Sequence, residues 1–110
     1  MSYQHQELAA GRWDQLSFAE QMANVGSEVI RALKWKAKNN PDYCRQASTR
    51  ALELMDLTLE NARGFARLKE IARAREMLAD YFFGTNEYLS SETSLQKYFL
   101  AFSFIARRNR

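Results

Sequence analysis

The sequence predicts an all-α protein, an antiparallel up-down four-helix bundle, on three observations. One Pro and four Gly punctuate 110 residues, too few breaks for a chain of many short strands. Apolar residues recur at the helical period of 3.6 over most of the length. Three turn signals, at Asn39-Asn40-Pro41, at Asn61 to Gly64 and at Gly84 to Ser90, divide the chain into four long segments. The expected helices are 18–38, 41–60, 63–83 and 91–108, in a single domain spanning 1–110. Residues 3–12 are expected to form a short additional helix or an arm.

The first helix opens on a capping box, Ser17-Phe-Ala-Glu20, in which each end satisfies the other's amide. Phe18, Met22, Val25, Val29 and Leu33 follow at core spacing, widened by Ala19, Ala23, Gly26, Ile30 and Ala37. Asn40 then caps a second helix that has Pro41 in its first position, where the missing N–H costs nothing. Cys44, Ala47, Ala51, Leu54, Met55 and Thr58 face inward on it, with Glu53, Asp56 and Glu60 on other faces. The segment from Glu60 to Gly64 is short, so the third helix folds back as a hairpin. Phe65, Leu68, Ile71, Leu78 and Phe82 are its inward residues, and Gly84 supplies its end. Ser90, Ser91 and Thr93 offer caps for the fourth helix. That helix has Leu95, Tyr98, Phe99, Phe102, Ile105 and Ala106 on one side, while Leu100, Ala101 and Phe104 point elsewhere.

A terminal helix of a monomeric bundle needs one wet face, so Leu100 and Phe104 are surplus. Surplus apolar surface marks an interface. Tyr81, Phe83, Tyr88 and Leu89 extend that surface, and a homodimer is expected to use it. The competing reading is that the N-terminal segment, through Leu8 and Trp13, covers this face within one chain.

Composition removes several functions. Hydrophobic residues make up 46% and charged residues 26%, a folded rather than a disordered balance. A single Cys excludes an internal disulfide and, with a single His, a zinc site of the usual Cys/His kind within one chain. No secretory signal and no stretch of eighteen apolar residues is visible, so a cytoplasmic protein without a membrane span is expected.

Catalytic pairs are hard to assemble from these residues. Cys44 lies in the first turn of the second helix, but His5 is the only His and sits in the N-terminal tail. Cys44 reads better as a small apolar filler. There is no G-x-S-x-G elbow and no Gly-rich phosphate loop. Glu53, Asp56 and Glu60 share a helix face, and Glu76 and Asp80 stand four apart. Such carboxylates can hold magnesium in a bundle. Glu53-Leu-Met-Asp56 resembles half of the E-x-x-E, E-x-x-D pattern of all-helical nucleotide pyrophosphohydrolases. A solvated acidic stripe paired with arginines is the stronger reading. No catalytic residue, metal ligand or cofactor is assigned.

Arg75 stands on the apolar stripe of the third helix, between Ile71 and Leu78. An Arg there must be paired or must face a cleft. Glu53, Asp56 and Glu28 are its candidate partners, and an anion site between helices is the alternative. Arg63, Arg67 and Arg73, with Arg107, Arg108 and Arg110 at the C-terminus, are the candidate nucleic-acid contacts. Arg31, Lys34, Lys36 and Lys38 surround Trp35 at a helix C-terminus, where the dipole also favours cations.

The stretch Ala23-Asn-Val-Gly-Ser-Glu-Val-Ile-Arg-Ala-Leu33, a hairpin, and then Arg50-Ala-Leu-Glu-Leu54 resemble the central helices of the HEPN-like and nucleotidyltransferase-substrate-binding helical bundles. That resemblance implies a small dimeric cytosolic protein partnering a minimal nucleotidyltransferase in a toxin–antitoxin-type pair. The ribonuclease members of that group carry R-x(4–6)-H, whereas here no His follows any Arg. This departure argues against ribonuclease activity of that kind.

The net charge of +3 is spread in blocks, acidic over 1–30, 39–60 and 76–106 and basic between and after them. Antiparallel folding brings blocks of opposite sign to the same end, which weakens any basic patch. The leading expectation is therefore a non-catalytic, homodimeric helical interaction protein with a protein partner. An RNA-binding helical module and a magnesium-dependent nucleotide hydrolase are the alternatives.

Overall fold

The computed structural model describes residues 11–108. A single 3-10 turn, Trp13–Gln15, precedes four helices: α1, Phe18–Ala37; α2, Pro41–Glu60; α3, Phe65–Phe83; and α4, Glu92–Arg108. No strand occurs among the described residues. The architecture is the all-α four-helix bundle that the periodicity predicts. Residues 3–10 of the expected N-terminal helix or arm, with His5 and Leu8, lie outside the described residues, as does Arg110.

Local chemistry sets each boundary. Ser17 Oγ accepts from Glu20 N at 3.1 Å, and Glu20 Oε1 accepts from Ser17 N at 2.8 Å, closing the capping box of α1. Asn39 takes a positive φ of 58° after α1, a conformation that Asn tolerates. Asn40 Oδ1 then accepts from Tyr43 N at 3.1 Å, and Pro41 starts α2. Gly64, at φ 88°, turns the chain into α3 without a side-chain cap. Ser91 and Ser94 cap α4 reciprocally, each hydroxyl accepting from the other's amide at 2.8–3.0 Å.

α1 is the central helix: it packs on α2 and on α4, while α3 packs on α2. Met22, Val25, Val29 and Leu33 of α1 meet Leu54, Met55 and Leu57 of α2 and Leu95 and Phe99 of α4 in one buried cluster. Gly26 permits the α1–α4 approach. A Cβ there would lie 2.7 Å from Phe99 Cβ, closer than side chains come. Trp13 is 1% exposed and plugs the end of the core where α1 starts and α2 stops. Its indole Nε1 donates to Thr58 Oγ1 at 3.1 Å, and its carbonyl accepts from Gln21 Nε2 at 2.9 Å.

Four inward assignments fail, the first being Ala37, which is exposed in the last turn of α1. Phe65 is 81% exposed and Leu68 41% exposed, because α3 enters the core only through Ile71, Ala74 and Leu78. At 100° per residue, Phe65 points about 120° away from Ile71 and Leu68 about 60° away. Ile105 is 44% exposed, since α4 buries only Leu95 and Phe99. Glu53, expected on another face of α2, is buried, because α2 is flanked by α1 on one side and α3 on the other.

Candidate functional site

Arg75 of α3 grips Asp56 of α2 with a two-pronged contact, Nε to Oδ1 at 2.6 Å and a second guanidinium nitrogen to Oδ2 at 3.3 Å. Both side chains remain about a third exposed. Of the three candidate partners, Asp56 is the carboxylate that fills the fork. The contact ties the middle of α3 to the C-terminal part of α2.

Glu28 belongs to a different pair. It is buried on α1 and accepts from Arg31 at 2.7 Å and from Arg50 Nε of α2 at 2.6 Å. Arg50 was not among the predicted site residues. A signal for it exists: Glu28 and Arg50 lie eleven residues on either side of Asn39, and an antiparallel hairpin brings equidistant residues level.

The carboxylates of the hydrolase reading are engaged singly. Asp80 accepts from the amides of Glu87 and Tyr88 at 2.8 and 3.0 Å and so pins the α3–α4 loop. Glu76 accepts from Tyr88 Oη at 2.7 Å. Asp56 holds Arg75, and Glu53 is buried. Among the described residues no three His, Cys, Asp or Glu side chains are grouped to hold a metal.

The six predicted interface residues stand on three elements, the end of α3, the α3–α4 loop and α4. Tyr81 is half-buried under the Lys36 ammonium, 4.1 Å from the ring centroid, and stacks edge-on with Phe82. Tyr81 and Phe83 both line a cleft beside the α1–α2 turn. Tyr88 and Leu89 stand on the α3–α4 loop, and Leu89 is 86% exposed at a positive φ of 55°. Leu100 and Phe104 are 53% and 58% exposed on the outer side of α4. Trp13 is seated at the α1–α2 end, bonded to Thr58 and Gln21 rather than placed as a cover for Leu100 and Phe104.

The arginines divide in the same way. Arg63 and Arg67 line a notch of about 290 Å³ at the start of α3, and the Arg67 guanidinium lies 4.3 Å from the Phe18 ring centroid. Arg73 lines a separate, mostly apolar groove of about 510 Å³ between α3 and α4. Arg107 and Arg108 are exposed in the last turn of α4, and Arg108 sits 5.9 Å from the Phe104 ring.

Among the described residues, three side chains are shifted from their ordinary titration range. Burial, then the negative charge of Glu70 and its hydrogen bond at 3.2 Å, push the Tyr98 phenol well up. The hydrogen bond to Glu76 does the same, first among its causes, for Tyr88. Burial raises the Cys44 thiol, with Lys36 opposing it. A thiol raised in this way is a poor nucleophile.

No protein-family model, no curated protein and no solved structure matches the chain. No helix among the described residues is long and apolar enough to cross a membrane.

Proposed function

We propose that this protein is a non-catalytic helical interaction protein that pairs with a second copy of itself through the outer face of α4. The observation that carries the reading is the exposed apolar run of Leu100, Phe104 and Ile105, each at least 44% accessible on a helix packed mainly against α1. A two-fold axis near Leu100 would set two α4 helices antiparallel, as an isologous contact requires. The acidic first turn of one, Glu92, then comes level with the basic last turn of the other, Arg107 and Arg108. The opposed helix dipoles favour the same arrangement. The partner suggested by the resemblance of α1 and α2 is a minimal nucleotidyltransferase in a toxin–antitoxin-type pair. A cytoplasmic protein fits this role.

RNA binding is the second reading, supported by Arg63 and Arg67 sharing one notch at the end of the bundle where Arg107 and Arg108 also lie. Each phosphate neutralised would steepen the salt dependence of binding. Self-association is tested by sedimentation over a range of protein concentrations. A mass that rises towards twice 12.8 kDa supports pairing. A mass that stays at one chain at all concentrations overturns it. A steeply salt-dependent mobility shift with mixed RNA would favour the second reading instead.

A further inference from the structure

We propose that the cleft between the end of α1, the start of α2 and the end of α3 binds a small amphipathic anion, a carboxylate or phosphate on a ring-sized apolar body. The cleft measures about 500 Å³, within the range of small-molecule sites. Its two charged lining residues, Lys36 and Arg45, are both cations, and no carboxylate lines it. Arg45 makes no salt bridge among the described residues, in contrast to Arg31, Arg50 and Arg75. The walls are more apolar than polar and are formed in part by Phe82, which packs against the core, and by Tyr81. Lys36 and Arg45 are both exposed at the rim, so their attraction for an anion is moderated by water, and the apolar wall supplies the rest of the contact.

The site is built by elements already fixed for other reasons. Lys36 is held over the Tyr81 ring at 4.1 Å, so one cation is positioned before a ligand arrives. Asn40 is committed to capping α2, and the Ser48 hydroxyl to the carbonyls of Cys44 and Arg45. The charged groups left to face an incoming head group are Lys36 and Arg45, with the Asn39 side chain beside them. An aromatic or alicyclic body fits against Tyr81 and Phe82. A cationic ligand would meet like charge from both side chains.

Cys44, the single cysteine of the chain, lines the same cleft and serves as a reporter. The rate of its alkylation by neutral iodoacetamide, read at pH 9 because burial raises the thiol pKa, is followed in the intact protein with added 2-naphthoate, 1-naphthyl phosphate or the quaternary trimethyl(2-naphthylmethyl)ammonium. Saturable protection by the two anions and none by the ammonium is the expected result. In Lys36→Glu/Arg45→Glu the anions should bind about tenfold more weakly, roughly threefold per lost exposed charge contact. Protection is taken relative to the unliganded rate of each variant, and unchanged far-UV circular dichroism shows that the variant is folded. Should it not fold, Lys36→Gln and Arg45→Gln singly carry the same comparison. Equal protection by the ammonium, protection that survives loss of both cations, or no saturation by either anion would overturn the proposal.

Discussion

Trp13 closes one end of the core with its ring and with two hydrogen bonds. Trp13→Phe keeps most of the apolar bulk but loses the indole donor to Thr58. The expected cost is about 1–2 kcal/mol, read as a lower urea midpoint with unchanged slope. Tyr98 gives a prediction with a sign. Its phenol keeps its proton in the fold to a higher pH than in the unfolded chain, where it titrates near about 10. Its contribution is therefore complete below that pH and is lost as pH rises further. Tyr98→Phe should lose about 1 kcal/mol at neutral pH and show a shallower decline of stability above about pH 10. Parallel alkaline unfolding curves for the two proteins would refute the assignment. The importance of Arg75 was legible because a charge interrupts an apolar stripe, although the stripe does not choose among acidic partners. Trp13 was legible only as a candidate cover for α4, and its seat against Thr58 in the core was not, since one aromatic before the first capping box belongs to no periodic pattern.

At the level of elements, the boundaries of α1 and α2 were readable because capping is a local chemistry of adjacent residues. How far each helix sinks into the core was not, because that depends on neighbours. α3 rests on α2, so its leading residues Phe65 and Leu68 remain outside although they are as apolar as Ile71. Gly26 reads in the sequence as one small residue widening a stripe, whereas in the fold it sets the distance between α1 and α4. Gly→Ala within a helix ordinarily stabilises by about 1 kcal/mol. Gly26→Ala should instead destabilise by about 1–2 kcal/mol, because its Cβ would press on Phe99, and thermal melting reads the sign directly. The α2–α3 contact has its own test. A double-mutant cycle on Asp56→Asn and Arg75→Gln should return a coupling of about 1 kcal/mol, as expected for a partly exposed two-pronged pair. A coupling near zero would show that the hairpin is held by Ile71, Ala74 and Leu78 alone.

Across the whole molecule, ion pairs link neighbouring helices, but only one of them joins charge blocks of opposite sign. Asp56 with Arg75 joins the acidic block of α2 to the basic block of α3, whereas Glu28 with Arg50 joins α1 to α2 across two blocks that are each acidic overall. Some basic side chains remain outside these pairs, with Arg63 and Arg67 at one end of the bundle and Lys36 and Arg45 at the other. The surplus apolar surface of α4 was legible as a count of large side chains that one helix face cannot bury. That Tyr81 and Phe83 line a cleft beside the α1–α2 turn was not, because it depends on which helix ends the fold brings together. The proposed pairing through α4 is tested most directly by comparing the sedimentation equilibrium mass of the natural chain with that of Leu100→Glu/Phe104→Glu at tens of micromolar. Both positions are exposed, so the variant keeps its helical circular dichroism. The natural chain is expected near twice 12.8 kDa and the variant at 12.8 kDa. A natural chain that sediments as a monomer, or a variant that remains paired, would contradict the account.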